Sequence, residues 1–318
     1  MKSHAHAGSR RQFLKTAAAA TAALWVRPYP LYAQHEGDHL VRLIRDGAAT
    51  AEIVVQRLRG NIAVLMGSGG NIAVLPGRDG QLLVDAGIPG SRQNLAKALA
   101  GISRDPIKYL INTHWHFDHT DGNEWLHSEG AAIVAHENTL KRLSVATRVE
   151  DWNYTFGPAP MGARPSQVFA TERAMHVNDA RIALTYYGPA HTDSDISVHF
   201  TDADVLHVGD TWWNGVYPFI DYSTGGSIDG SIRAAERNVE RTTVNTVVIP
   251  GHGPVGDRSG LVEFREMLVG IRTKIAALKK QGRSLDEVLT AGPTAPYDAK
   301  WGSLIPPRLF TRLVYAGV

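Results

Sequence analysis

Not one cysteine occurs among the 318 residues. That excludes a disulfide framework, a thiolate metal ligand, a cysteine nucleophile and a cysteine-linked lipid anchor. Long apolar runs are equally scarce. The one continuous stretch near the start, TAAAATAALWV at residues 16–26, is too short to span a bilayer, so stable membrane insertion is not expected. Basic charge is scarcer than the formal net charge of +2 suggests. Residues 1–33 hold Lys2, Arg10, Arg11, Lys15 and Arg27 with no acid, and removing those five charges takes the remainder to −3. A nucleic-acid-binding surface should be basic, so no nucleic-acid partner is expected. The hydrophobic share of 43% and charged share of 20% are those of an ordinary soluble protein.

The start of the chain carries its own message. SRRQFLK, residues 9–15, resembles the twin-arginine export signal at every defined position, and the apolar run follows it. Cleavage is expected after Ala33, in Leu31-Tyr32-Ala33. That route carries folded proteins, so a metal could be loaded in the cytoplasm before transfer. The expectation is a soluble periplasmic protein, delivered by the twin-arginine machinery, whose residues 34–318 form a single domain ending in helices.

GNIAVL occurs twice, at 60–65 and 70–75, and the period then stops. Two β-rich runs joined by Met66-Gly67-Ser68-Gly69 predict a hairpin, with a third strand over 81–85. Ser91 is expected to cap a helix reaching about Leu99, and 107–111 reads as a buried strand. Further strands are predicted at 182–187, 196–200, 205–208 and 244–249. A long amphipathic helix is predicted over 260–280, and Ser284-Leu285-Asp286-Glu287 is a capping box opening another. Two successive halves, each β and then α, suggest sheets packed face to face with helices outside.

The chemistry lies in NTHWHFDHTDGN, residues 112–123. His114, His116 and Asp118 are two apart and project the same way in extended backbone. The strand IKYLI delivers them to its carboxyl end, the usual place for a site in an α/β protein. His119 points elsewhere unless the chain turns, and two ions share four such groups more easily than one. His191, Asp210 and His252 follow other predicted strands. Glycine beside the last two lets the backbone turn tightly.

His114-Trp115-His116-Phe117-Asp118-His119, followed in order by His191, Asp210 and His252, resembles the H-x-H-x-D-H signature and ligand set of the metallo-β-lactamase superfamily. The resemblance runs from the GNIAVL hairpin to Pro250-Gly251-His252-Gly253-Pro254. It implies an α+β, four-layer αββα sandwich. It implies that His114, His116 and His191 bind one zinc, that Asp118, His119 and His252 bind a second, and that Asp210 bridges them. Other divalent metals such as iron or manganese would fit the same set. Asp85, closing LLVDAG, matches the family's buried aspartate under the metal loop.

By the same resemblance, a hydroxide between the ions would attack a small cyclic amide or ester, a β-lactam or lactone, with Asp118 as catalytic residue orienting it and taking its proton. The branch with an Asp-Cys-His site uses cysteine where Asp210 stands, and a lysine three residues later where Trp213 stands. No substrate carboxylate anchor can be named. Alternatives are a thioesterase of the glyoxalase II type and a noncatalytic zinc-binding protein on the same scaffold. Asn214 could donate to an oxyanion or cap its loop. Trp115, Phe117, Trp212 and Trp213 divide between core and pocket wall. His136, His176, His199 and His207 fall outside the ligand pattern.

Overall fold

A computed structural model describes residues 38–318. The export signal and the cleavage point after Ala33 lie outside the described residues. In chain order, β1 (Val54–Arg57), β2 (Ala63–Met66), β3 (Ile72–Leu75), β4 (Gln81–Val84), β5 (Ile107–Ile111) and β6 (Ala132–His136) build the first sheet. β7 (Thr147–Val149) and β8 (Tyr154–Phe156) form a separate ribbon, and β9 (Gln167–Phe169) returns beside β6. The second sheet takes β10 (Glu172–Val177), β11 (Ala180–Tyr186), β12 (Ile196–Phe200), β13 (Val205–His207), β14 (Val247–Ile249) and β15 (Gly256–Asp257) in that order. β4, β5, β6 and β9 run parallel, as do β13 and β14; the other neighbours are antiparallel.

The expected hairpin forms, and the two GNIAVL copies face each other with Leu65 opposite Ile72 and Ala63 opposite Val74. Each central strand is buried on both faces, which is why its sequence is continuously apolar instead of alternating. Val64, Met66, Val84 and Ile111 point between the sheets, against Ile182, Leu184, Val198 and Phe200. Leu65, Ile72, Leu83 and Leu110 point outward, under Leu95 and Leu99 of the helix Arg92–Ile102. The helices Ile228–Glu240, Arg258–Lys280 and Pro307–Ala316 cover the far side of the second sheet through Val239, Phe264, Leu268 and Phe310. This is the expected αββα sandwich.

Three elements differ from expectation. Ser91 makes no side-chain cap: it ends a short 3-10 turn, its hydroxyl donates to the Ile88 carbonyl at 2.8 Å, and the helix runs on to Ile102. The strand predicted over 244–249 keeps only Val247–Ile249. Thr246 Oγ1 accepts from Thr243 N at 2.8 Å and turns the backbone there, leaving Val244 exposed; local side-chain bonds outcompete β propensity. β11 starts two residues earlier than predicted, at Ala180, and ends at Tyr186. The capping box at Ser284 is present.

The helix Asp38–Ala48 was not anticipated. It lays Val41 and Ile44 on Ile88 and Phe117, and Arg45 Nε donates to Asp121 Oδ2 at 2.8 Å, tying it to the histidine loop. No helix among the described residues is long and apolar enough to cross a membrane. Phe200 is fully buried between the sheets. Phe200→Ala is expected to cost about 3–5 kcal/mol in urea unfolding of the metal-loaded protein.

Candidate metal centre

β4 and β5 end side by side, with Asp85 N donating to the Ile111 carbonyl at 2.7 Å. From these ends the chain enters the histidine loop. The extended alternation stops at His116, the N-cap residue of the one-turn helix Phe117–Thr120. It is therefore a helical turn, and not strand periodicity, that brings Asp118 and His119 to the same side as His114. Asp210 follows β13 in a 3-10 turn, His252 follows β14, and His191 follows β11.

All seven residues meet. The candidate ligand atoms of His114, His116, His191 and Asp210 lie within 4.8 Å of one another, as do those of Asp118, His119 and His252. Asp210 sits between the sets: Oδ2 is 3.3 Å from His191 Nε2 and 3.4 Å from His252 Nε2, and Oδ1 is 3.1 Å from His119 Nε2. Asp118 Oδ2 is 3.3 Å from His252 Nε2.

Four of the five clustered histidines have a partner for the outer nitrogen. His119 Nδ1 donates to Asp85 Oδ2 at 2.8 Å, His116 Nε2 to Asp221 Oδ2 at 3.0 Å, and His191 Nδ1 to the Phe219 carbonyl at 2.7 Å. Thr113 Oγ1 donates to Asp85 Oδ2 at 2.7 Å and accepts from His114 Nδ1 at 3.0 Å. With one proton on each ring, the inner nitrogens carry lone pairs toward the centre. His116 Nδ1 and His191 Nε2 then face each other at 2.9 Å, a repulsive contact that a cation between them would reverse. His114 Nε2, His119 Nε2, His252 Nε2 and both Asp210 oxygens are buried without a hydrogen-bond partner. Unsatisfied buried acceptors are rare. This donor set of imidazole nitrogen and carboxylate oxygen, with four of the five outer nitrogens held, fits divalent cations.

The charges lead to the same place. Burial and the neighbouring His119 push His114 well below its ordinary value, and burial takes His191 down to about 4. Burial opposes charge on Asp210 too, but His252, His119 and His114 hold its carboxyl well below the usual range. Burial likewise opposes protonation of His119 and His252. Asp210 and Asp118 outweigh it, raising His119 well above normal and His252 to about 9. Without a cation, protons on these two rings balance the two carboxylates; metal binding must displace them.

Close approach is built into the backbone. A Cβ on Gly251 would lie 1.9 Å from Asp210 Oδ1, and one on Gly70 would lie 2.1 Å from the His119 ring. Between these glycines sits a clamp. Asn71 Nδ2 donates to the Pro250 and Gly253 carbonyls, both at 2.9 Å, and Asn71 N donates to Gly251 O at 2.8 Å. His207 Nε2 donates to Asn71 O at 3.0 Å while its Nδ1 accepts from Gly209 N at 3.1 Å. One buried pair thus fixes the turns carrying Asp210 and His252.

A cavity of about 590 Å³ opens on Asp118, Asp210 and His252, with Phe117, Trp152, Trp213 and Leu304 among its walls. Trp115 and Trp212 are core residues, whereas Phe117 and Trp213 face the cavity. Asn214 Nδ2 donates to the Pro254 carbonyl at 2.7 Å, the loop-capping role. His136, His176 and His199 stay outside the cluster. Sequence reasoning missed Asp221, Asn71 and Trp152. Only Asn71 had a visible signal, its place in a repeated hexapeptide.

The sequence profile of the Metallo-beta-lactamase superfamily matches residues 65–257. The chain is 29% identical over 129 residues to the 2,4-dinitroanisole O-demethylase subunit alpha of Nocardioides sp., covering 40% of this chain but only 36% of that subunit. It is 26% identical over 185 residues to a probable metallo-hydrolase of Methanocaldococcus jannaschii, covering 55% of this chain and 84% of that one. Among solved structures, a metallo-beta-lactamase from Pontibacter korlensis superposes with TM-score 0.56 at 19% identity, covering 69% of this chain and 99% of its own. The DIM-1 metallo-beta-lactamase gives TM-score 0.55 at 21% identity, covering 69% and 97%. At that identity the likeness is one of fold.

Two outcomes follow from the geometry. Gly251→Ala and Asn71→Ala should each lower zinc affinity by at least about tenfold in chelator competition. The raised His252 supplies stability that is full below its unfolded value of 6.5 and is lost as pH climbs through about 9. Metal-free protein should therefore lose Tm over that window, while zinc-loaded protein should not.

Proposed function

The chain belongs to the metallo-beta-lactamase superfamily, and from that premise we propose a hydrolase that works with two bound divalent cations, expected to be zinc, to open a small cyclic amide or ester. The observation that carries this reading is the convergence of orphaned imidazole nitrogens and Asp210 oxygens at the floor of the cavity. His114, His116 and His191 would hold one cation, Asp118, His119 and His252 the other, with Asp210 shared. Cations bound there would polarise a substrate carbonyl and make a nucleophilic water available at neutral pH.

The chain's own residues do the rest. Burial opposes charge on Asp118, but in the cation-free cluster His119 and His252 hold its carboxyl below the ordinary range. A cation held by Asp118, His119 and His252 would take over that role and leave the carboxylate ionised and able to accept a proton. It lines the cavity. As the water oxygen bonds to the carbonyl carbon, its proton passes to the Asp118 carboxylate. When the ring C–N or C–O bond breaks, the same proton goes to the departing nitrogen or oxygen. Asp85, Asp221 and the Phe219 carbonyl keep the imidazoles oriented throughout.

The name of the Methanocaldococcus relative agrees with hydrolysis, and the demethylase subunit adds an activated aryl ether to the substrates worth testing. Residues 9–15 support placing the working protein in the periplasm. The test is a panel on the zinc-loaded protein: a chromogenic cephalosporin, an acyl-homoserine lactone, a glutathione thioester and 2,4-dinitroanisole. Turnover of the cephalosporin or the lactone is expected. Asp118→Ala should lower it by about 10²-fold or more and weaken one cation more than the other. Wild-type rates in that variant would overturn the role of Asp118. Full metal occupancy with no turnover across the panel would favour a binding protein.

A further inference from the structure

We infer that the cavity above the cluster selects neutral substrates by an apolar substituent, and that the helix Ala295–Trp301 with the turn after it forms the selecting wall. The inference rests on the hydrolase reading only for where the substrate carbonyl sits. Beyond the cluster the cavity is lined by Ile44, Phe117, Trp152, Trp213, Val216 and Leu304. A cavity of about 590 Å³ is the size of a site for a drug-sized molecule, and these walls offer it little to bond to but carbon.

Among the polar side chains beyond the cluster, Lys300 and Asn214 are already engaged, which leaves the uncharged Ser303 hydroxyl. Lys300 is the one lysine or arginine lining the cavity among the described residues. Its Nζ donates to both Glu263 oxygens at 2.5 Å, so its charge is already paired and a substrate carboxylate would have to compete with Glu263. The Asn214 amide is held by the Pro254 carbonyl. No unpaired lysine or arginine lines the cavity among the described residues to anchor a substrate carboxylate, which disfavours a carboxylated lactam and favours a neutral lactone or ester.

The wall is fixed to the catalytic end. Tyr217 N donates to the Trp301 carbonyl at 2.7 Å, and Tyr217 Oη donates to Asp298 Oδ1 at 2.9 Å. The Tyr217 ring stacks on Phe310, 4.5 Å between centroids and 12° between planes. The segment 299–304 is thereby tied to the loop that carries Trp213, which leaves Asp210 directly. It lies past residue 257, where the superfamily match ends.

The test is binding, so that it does not depend on turnover. N-phenyl-1-naphthylamine, a neutral apolar fluorophore, is bound to the zinc-loaded protein and displaced by alcohols from butanol to decanol. The matching alkanesulfonates, anions that ligate zinc weakly, serve as the charged series. Competition by the alcohols should strengthen by up to about fourfold per methylene, and each sulfonate should compete less well than the alcohol of its length. Leu304→Asp, and independently Val216→Asp, should flatten the dependence on length with Tm retained. Competition independent of length would overturn the inference, as would sulfonates that outcompete alcohols and lose that advantage in Lys300→Ala. Length-dependent binding with no turnover on any panel substrate would uphold the selecting wall while removing the hydrolase reading.

Discussion

Asp210 is buried, and neither of its carboxylate oxygens receives a hydrogen bond. An uncompensated buried carboxylate costs several kcal/mol, so its surroundings must supply positive charge. Here they are four imidazoles and a second carboxylate, Asp118, arranged so that the charge must come to the centre as protons or as cations. The glycines that let the groups approach, and the acceptors that hold the outer nitrogens, follow from that single requirement.

The holding groups come from distant parts of the chain, which makes the site a property of the whole sandwich. Asp85, at the end of β4, binds Thr113 N, Thr113 Oγ1 and His119 together, and adopts a positive φ of 67° to do so. A left-handed aspartate is tolerable because its short side chain bonds locally. On the other half, Asp221 accepts from His116 and from Thr224 Oγ1, and Thr224 in turn accepts from Trp115 Nε1. Each carboxylate locks one imidazole and the loop beneath it. Asn71 and His207 do the same for the turns of the second sheet.

How much of this was legible depends on whether a residue's role is written in its near neighbours. The seven clustered residues were readable from the dense histidine motif, from glycine beside Asp210 and His252, and from an order that resembles the superfamily's, and the αββα layering followed from strand order. The two copies of GNIAVL show the limit. Asn61 is exposed at a left-handed turn and donates to the Pro76 carbonyl, whereas Asn71, in an identical hexapeptide, is buried and clamps the turn of His252. Identical words have opposite roles because the partner lies far along the chain. Asp221 was invisible for the same reason. The strand predicted from Val244 failed on a local matter, since a threonine pair can bond its own backbone and valine alone does not prevent the turn.

The division between chemistry and selection also falls along the chain. The clustered residues and their holders lie within or beside the segment shared with the superfamily, and the cavity is closed by residues beyond it. Within that segment, the most telling departure from the lactamase branch is Trp213. Where that branch would set a lysine to attract a carboxylate, this chain sets an indole whose ring lies 4.3 Å from that of His252, on the cavity wall. An indole there excludes water and offers an apolar face, so it strengthens electrostatics at the cluster while giving an anion nothing to hold. Trp213 brings no charge and Lys300 is paired with Glu263, and both line the same cavity. Both features agree with the proposed preference for a neutral, carbon-rich substrate.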